Sequence, residues 1–234
     1  MGLPGWARDP GHIVFLNGTS SSGTTSVARA FQELAAAPYL HTGVDHFLER
    51  VPSRLFVRCD AAEVAAHAPV DGWLLPFRDG ALVERPRLGP SALRILSGMY
   101  RAIAALAGAG VNVVVDDVIY DARVLQAAGR ALADLPVLFV GVRCPLAVAE
   151  ARERARGDRA PGGARVFHGL VHQLVAAHGR YDVEVDTAEH TPTECARAIQ
   201  QALTGGTPGT AFRELQQRLR TLASHAPPLR RSPR

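Results

Sequence analysis

HIVFLNGTSSSGTTSVARAFQELAAA, residues 12–37, joins three patterns. HIVFL is a short apolar, β-branched run that suits a buried parallel strand. VARAFQELAAA has apolar residues at helical spacing and predicts a helix over 26–37 that stops near Pro38. Between them, Gly18 and Gly23 stand at the spacing of the phosphate-binding loop G-x-x-x-x-G-K-[ST], and Thr25 fits its last position. The lysine position is held by Thr24. Such a loop works through its backbone: glycines turn successive N–H groups inward, and the helix start adds partial positive charge. Gly18, Ser20, Ser21, Ser22, Gly23, Thr24, Thr25 and Ser26 are therefore candidate phosphate contacts, and Thr25 is a candidate hydroxyl ligand for Mg²⁺. A plain Ser/Gly turn, with Thr24 or Thr25 capping the helix, is the alternative.

The rest of the chain alternates in the same way. Helices are expected over 91–108, 122–134, 146–156 and 166–178, and strands at VNVVVDDVIY, 137–144 and 181–187. TPTECARAIQQAL reads as a helix opened by Thr or Pro, GGTPGT as a linker, and AFRELQQRLRTLA as a terminal amphipathic helix. Alternating β and α predicts an α/β fold with a parallel sheet covered on both faces. Ligands in such sheets sit beyond the carboxyl ends of the strands. The glycine loop, Asp45, the pair Asp116-Asp117 and Arg143 all fall at or just after strand ends. Residues 52–90, rich in proline and glycine, read as an insertion near the substrate side, with a hairpin around Asp79-Gly80. The expected division is a domain over 1–204, followed by a linker, terminal helix and basic tail over 205–234.

All 26 basic Lys/Arg residues are arginine, so no lysine elsewhere in the chain can stand in for the missing one. Any compensating cation is an arginine, a metal ion or a partner's side chain. The segment ARERARGDR places Arg152, Arg154, Arg156 and Arg159 within eight residues before a Gly/Pro loop. That suits a lid closing arginines over phosphates; a solvated helix face with Glu150 and Glu153 as partners is the alternative. Asp116-Asp117 after the valine run suits the acidic position that helps hold Mg²⁺, or a turn-forming role for one of the two. Cys59, Cys144 and Cys195 are scattered and predict reduced, buried thiols. No apolar run reaches membrane-spanning length, and the first residues lack a secretory layout, so a cytoplasmic protein is expected. No interleaved basic and aromatic pattern suggests a nucleic-acid partner.

With VFLNGTSSSG, GVDHFLERVP, GVNVVVDDV, LFVGVRCPLAVAEARERARGDR, YDVEVDT and TPTECARAI assembled, the chain resembles the chloramphenicol phosphotransferase family of small P-loop kinases over residues 12–202. The resemblance implies an adenylate-kinase-like fold with an arginine-rich lid. It also implies ATP with Mg²⁺, and phosphorylation of a hydroxyl on an antibiotic-like small molecule. It implies Asp45 as general base, Thr25 and Asp117 (or Asp116) toward Mg²⁺, and Arg152, Arg156 and Arg159 as lid arginines. Arg154 is an additional arginine that could replace the lysine's charge. The partners expected are therefore a nucleotide and a hydroxylated acceptor, and a homo-oligomer is compatible with the sequence. Thr24 departs from the loop pattern. It leaves open a second reading, a nucleotide- or phosphate-binding protein without phosphoryl transfer, and a third, a different reaction on the same scaffold.

Overall fold

A computed structural model describes residues 9–157, 160–206 and 209–224. Five strands form the central sheet: β1 (Ile13–Gly18), β2 (Tyr39–Gly43), β7 (Asn112–Asp117), β8 (Val137–Arg143) and β9 (Val183–Asp186). Their order is β2-β7-β1-β8-β9, and every pairing is parallel. The phosphate-loop strand β1 is thus central, flanked by the strand that carries Asp116-Asp117 and by the strand that ends at Arg143.

Strand periodicity divides the core into two layers. Ile13 and Phe15 face a cluster with Phe139, Tyr100, Met99 and Ile103; Val14 and Leu16 face the other side with Phe31, Val114 and Val140. On that second face lie α1 (Thr24–Leu34) and α8 (Pro192–Thr204). The first face is covered by α3 (Pro90–Gly108), α4 (Ala122–Leu132) and α9 (Ala211–Ser224). The terminal helix α9 sets Ala211, Phe212 and Leu215 into the main core.

Residues 52–90 form a small second sheet. β3 (Phe56–Asp60) runs parallel to β4 (Trp73–Arg78), and β5 (Ala81–Leu82) and β6 (Arg87–Leu88) pair antiparallel with β4. The expected hairpin is there. Asp79 and Gly80 both take positive φ, 51° and 78°, the conformation a two-residue turn between twisted strands requires. Trp73 and Leu88 join the main core, which ties the insertion to the sheet.

Several helix boundaries differ from the sequence reading: α1 begins at Thr24 rather than at 26, and α4 ends at Leu132 rather than at 134. α1 ends at Leu34, with Ala35 already extended, before the alanine run reaches Pro38. The helix expected over 166–178 is two helices, α6 (Gly163–Phe167) and α7 (Leu170–His178): His168 leaves the helical conformation after Phe167, and Gly169, at φ 79°, redirects the chain into α7. The remaining helices are α2 (Val44–Leu48) and α5 (Leu146–Arg156). The N-cap of α8 is Thr191, in a reciprocal capping box with Glu194 and with Pro192 in the first turn.

Candidate active site

The glycine loop lies between β1 and α1, and its backbone is held in a demanding shape. Ser21 has φ 61° without being glycine, and Gly23 caps α1 at φ 94°. Such a left-handed serine costs on the order of 1 kcal/mol or more and persists only where surrounding contacts hold it. Neither Thr24 nor Thr25 caps the helix; no side chain does. The start of α1 is therefore open to an anion. The hydroxyls of Thr19, Ser21 and Ser22 are buried without a hydrogen-bond partner, and Thr19 and Ser21 also line the adjoining cavity. Buried donors without partners cost stability. Their presence beside an open helix start fits a phosphate group. Thr24 is turned partly back: its methyl sits 2.9 Å from where a Cβ on Gly18 would lie, so it packs on the strand end.

The two aspartates at the end of β7 diverge. Asp116 Oδ2 accepts a 2.6 Å hydrogen bond from Thr25 Oγ1, and its Oδ1 lies 3.3 Å from His41 Nε2. Burial pushes the Asp116 carboxyl up, but the His41 and Thr25 contacts outweigh it and hold the group below the usual carboxylate range. Asp117 points toward the core side, where Tyr100 Oη donates to it at 2.7 Å and the Val118 N–H donates at 2.7 Å. Burial pushes it up to about 7, against the pull of those two hydrogen bonds. Asp116, not Asp117, is the carboxylate that meets the loop hydroxyl. His41 was missed in sequence because its role depends on β2 lying against β7. In that register Gly43 pairs with Asp116, and a Cβ on Gly43 would sit 2.0 Å from Asp116 Oδ1.

Asp45, in the first turn of α2, lines the same cavity. The arginines separate. Arg156 is exposed and lines the cavity, whereas Arg154 is exposed outside its lining. Arg152 turns under the loop. Its guanidinium donates to Ser22 O at 3.2 Å, to Thr187 Oγ1 at 2.9 Å and to Thr187 O at 2.7 Å. Arg159 lies outside the described residues. Beyond the loop the cavity, about 360 Å³, becomes apolar and aromatic. Phe56 stacks on Trp73 at 4.9 Å between centroids, and Tyr120 meets Phe167 at 4.8 Å. The insertion therefore builds one wall of this chamber. Cys59, Cys144 and Cys195 are buried free thiols, and no cluster with metal-ligand composition occurs among the described residues. Among those residues no helix is long and apolar enough to cross a membrane.

A family model described as chloramphenicol phosphotransferase-like protein matches residues 11–204. A Mycobacterium tuberculosis (strain H37Rv) protein, provisionally named an O-phosphotransferase, is 34% identical over 209 residues, 89% of each chain. Among solved structures, the Mycobacterium tuberculosis APS kinase in complex with AMPPNP and APS is similar at TM-score 0.52 and 16% identity, covering 84% of this chain and 99% of that one. The Acinetobacter baumannii shikimate kinase in complex with shikimate is similar at TM-score 0.50 and 12% identity, covering 86% and 96%. At such identities these likenesses show the P-loop kinase fold alone.

Proposed function

The chain belongs to the chloramphenicol phosphotransferase-like family, and from that premise we propose that it transfers the terminal phosphoryl group of ATP, held with Mg²⁺, to a hydroxyl of an antibiotic-like small molecule. The observation that carries the reading is one cavity lined by the phosphate loop, Asp116, Asp45, Arg156 and an aromatic chamber. The loop N–H groups and the hydroxyls of Thr19 and Ser21 hold the phosphates. Thr25 and Asp116 would hold Mg²⁺, which would spread the phosphate charge. Asp45 accepts the acceptor's hydroxyl proton as the new O–P bond forms and the bond to the nucleotide's leaving oxygen breaks. The aromatic chamber favours an acceptor with an apolar body that brings one hydroxyl toward Asp45.

Without the lysine, positive charge comes from the open helix start, Arg156 at the cavity wall and Arg152 beneath the loop. Arg154, the additional arginine expected to compensate, lies outside the cavity lining, so Arg156 takes that part of the proposal. A second reading, nucleotide binding without transfer, is favoured by one observation: the Thr24 methyl packs against Gly18 and places no cation inside the loop.

Calorimetric titration of ATP, with and without Mg²⁺, into wild type and Thr24→Lys tests both. Micromolar Mg²⁺-dependent binding by wild type, followed by transfer to a hydroxylated acceptor, is the expected outcome. Binding with no transfer to any acceptor in a broad hydroxyl screen selects the second reading. Absence of binding by wild type, restored in Thr24→Lys, defeats the proposed nucleotide role of the natural loop.

A further inference from the structure

Within the arginine-rich helix α5 sits a carboxylate that the reaction as described leaves unused. Glu153 is only 7% exposed, although arginines flank it in sequence. Its Oε2 accepts from the Gly162 N–H and its Oε1 from the Ala164 N–H, both at 2.8 Å. Burying a carboxylate is costly unless its oxygens are well bonded. Two backbone amides of one short segment offset that cost and order the segment in return.

That segment touches each part of the site. Pro161 O accepts from the Leu82 N–H of the β4–β5 hairpin at 2.8 Å. Gly162, at φ 108°, presses so closely on the hairpin that a Cβ would lie 2.0 Å from Leu82 O. A Cβ on Gly163 would lie 3.2 Å from Ser20 Oγ of the phosphate loop. Glu153 and Gly163 both line the cavity, as Leu82 does from the hairpin side.

We propose that Glu153 is a positioning residue that joins residues 161–164 and the β4–β5 hairpin into one unit, so that filling the phosphate loop and closing the acceptor chamber are coupled. The mechanical joint stands on the contacts above; only what it closes over rests on the reading of the site as a phosphotransferase. Coupling of this kind is a free energy shared by two sites, and it needs an element that both sites bias. The joint is such an element, since it meets the phosphate loop at Gly163 and the acceptor wall at Leu82.

Glu153→Gln is the discriminating change. Glutamine keeps the size but presents an NH₂ to one of the two amides, so a donor faces a donor. Hydrogen–deuterium exchange of the full chain reads the result. Peptides covering 160–166 and 80–84 are expected to exchange about tenfold faster together, with β1 peptides unchanged. Faster exchange at 160–166 with wild-type rates at 80–84 would overturn the joint. Gly162→Ala attacks it from the hairpin side while keeping the Glu153 carboxylate in the chain, since the added Cβ meets Leu82 O, and the same paired increase is expected; an unchanged pair in this variant overturns the joint as well. Mg·AMPPNP supplies the second arm. It is expected to slow exchange at 18–26 and at 80–84 in wild type, and only at 18–26 in Glu153→Gln. Protection confined to 18–26 in wild type overturns the coupling. No protection at 18–26 in wild type defeats the nucleotide reading instead, and the first arm still decides the joint.

Discussion

Thr25 Oγ1 donates a 2.6 Å hydrogen bond to Asp116 Oδ2 across 91 positions of sequence. The contact joins the first turn of α1 to the end of β7, the neighbour of the loop strand. A hydroxyl and a carboxylate of lowered pKa, both on the cavity wall, form an oxygen donor set suited to a hard cation such as Mg²⁺.

Asp116→Asn is therefore expected to remove Mg²⁺ dependence from nucleotide binding, with affinity in Mg²⁺ falling about tenfold or more. Asp117→Asn keeps an acceptor for Tyr100, and the Asp117 carboxylate is bonded to Tyr100 and the Val118 N–H rather than to Thr25, so the change is expected to alter stability more than Mg²⁺ dependence. Titrations of both variants with and without Mg²⁺ separate them; equal loss of Mg²⁺ dependence in both would reject the assignment of Asp116.

Arg152 supports the loop from below. It donates to Thr187 Oγ1, and that hydroxyl in turn donates to Ser22 O at 2.6 Å. Arg152→Ala leaves Ser22 O and Thr187 O without their charged donor, at a cost of about 2 kcal/mol. The expected result is a lower denaturant midpoint together with weaker nucleotide binding. Arg152→Lys retains the charge but not the fork that reaches Ser22 and Thr187 together, so it is expected to recover only part of both losses. Full recovery by lysine would mean that charge alone matters at this position.

The parallel sheet was legible because its strands are short apolar runs and its helices carry clear periodicity; β1, β7 and β8 fall where the valine- and phenylalanine-rich segments lie. The loop was legible because its spacing is local. What depended on distant pairing was not. His41 reaches Asp116 only through the β2–β7 register, and the choice between Asp116 and Asp117 follows from which side of β7 each one faces. The arginine cluster read as a single unit from composition, yet α5 sends Arg152 inward, Arg154 outward and Arg156 to the cavity. Glu153 entered the sequence reading only in the alternative, as an ion-pair partner on a solvated face, because sequence cannot show that the chain beyond it returns two amides to its carboxylate. Gly169 gave no sign that it breaks a helix, since an isolated glycine is tolerated in many helical patterns.

Phe212 tests the place of the terminal helix. It is 1% exposed, with its ring 5.2 Å from Phe15 and 4.5 Å from Phe139 between centroids. Phe212→Ala is expected to cost about 3–5 kcal/mol and to lower the melting temperature by roughly 10 °C for a chain of this size. A loss below about 1 kcal/mol would place α9 outside the cooperative core.

His172 predicts how stability changes with acid. Its Nδ1 lies 2.9 Å from Tyr181 Oη, and that oxygen accepts from Asn17 Nδ2 at 3.0 Å. Since Asn17 donates to that oxygen, the tyrosine proton is available to His172, which keeps the imidazole neutral. Burial, reinforced by the nearby Arg143 charge and opposed by Glu184, pushes the His172 pKa down to about 4 from 6.5. Between those two values the unfolded chain binds the proton and the folded chain does not, so stability falls as pH drops from 6.5 to 4. Discounted for solvent screening of a partly exposed ring, the loss is roughly 1–2 kcal/mol. Urea unfolding of wild type and His172→Gln at pH values spanning that window measures it. The variant is expected to lose less stability across the window than wild type. Equal losses in the two proteins would show that acid acts through other groups.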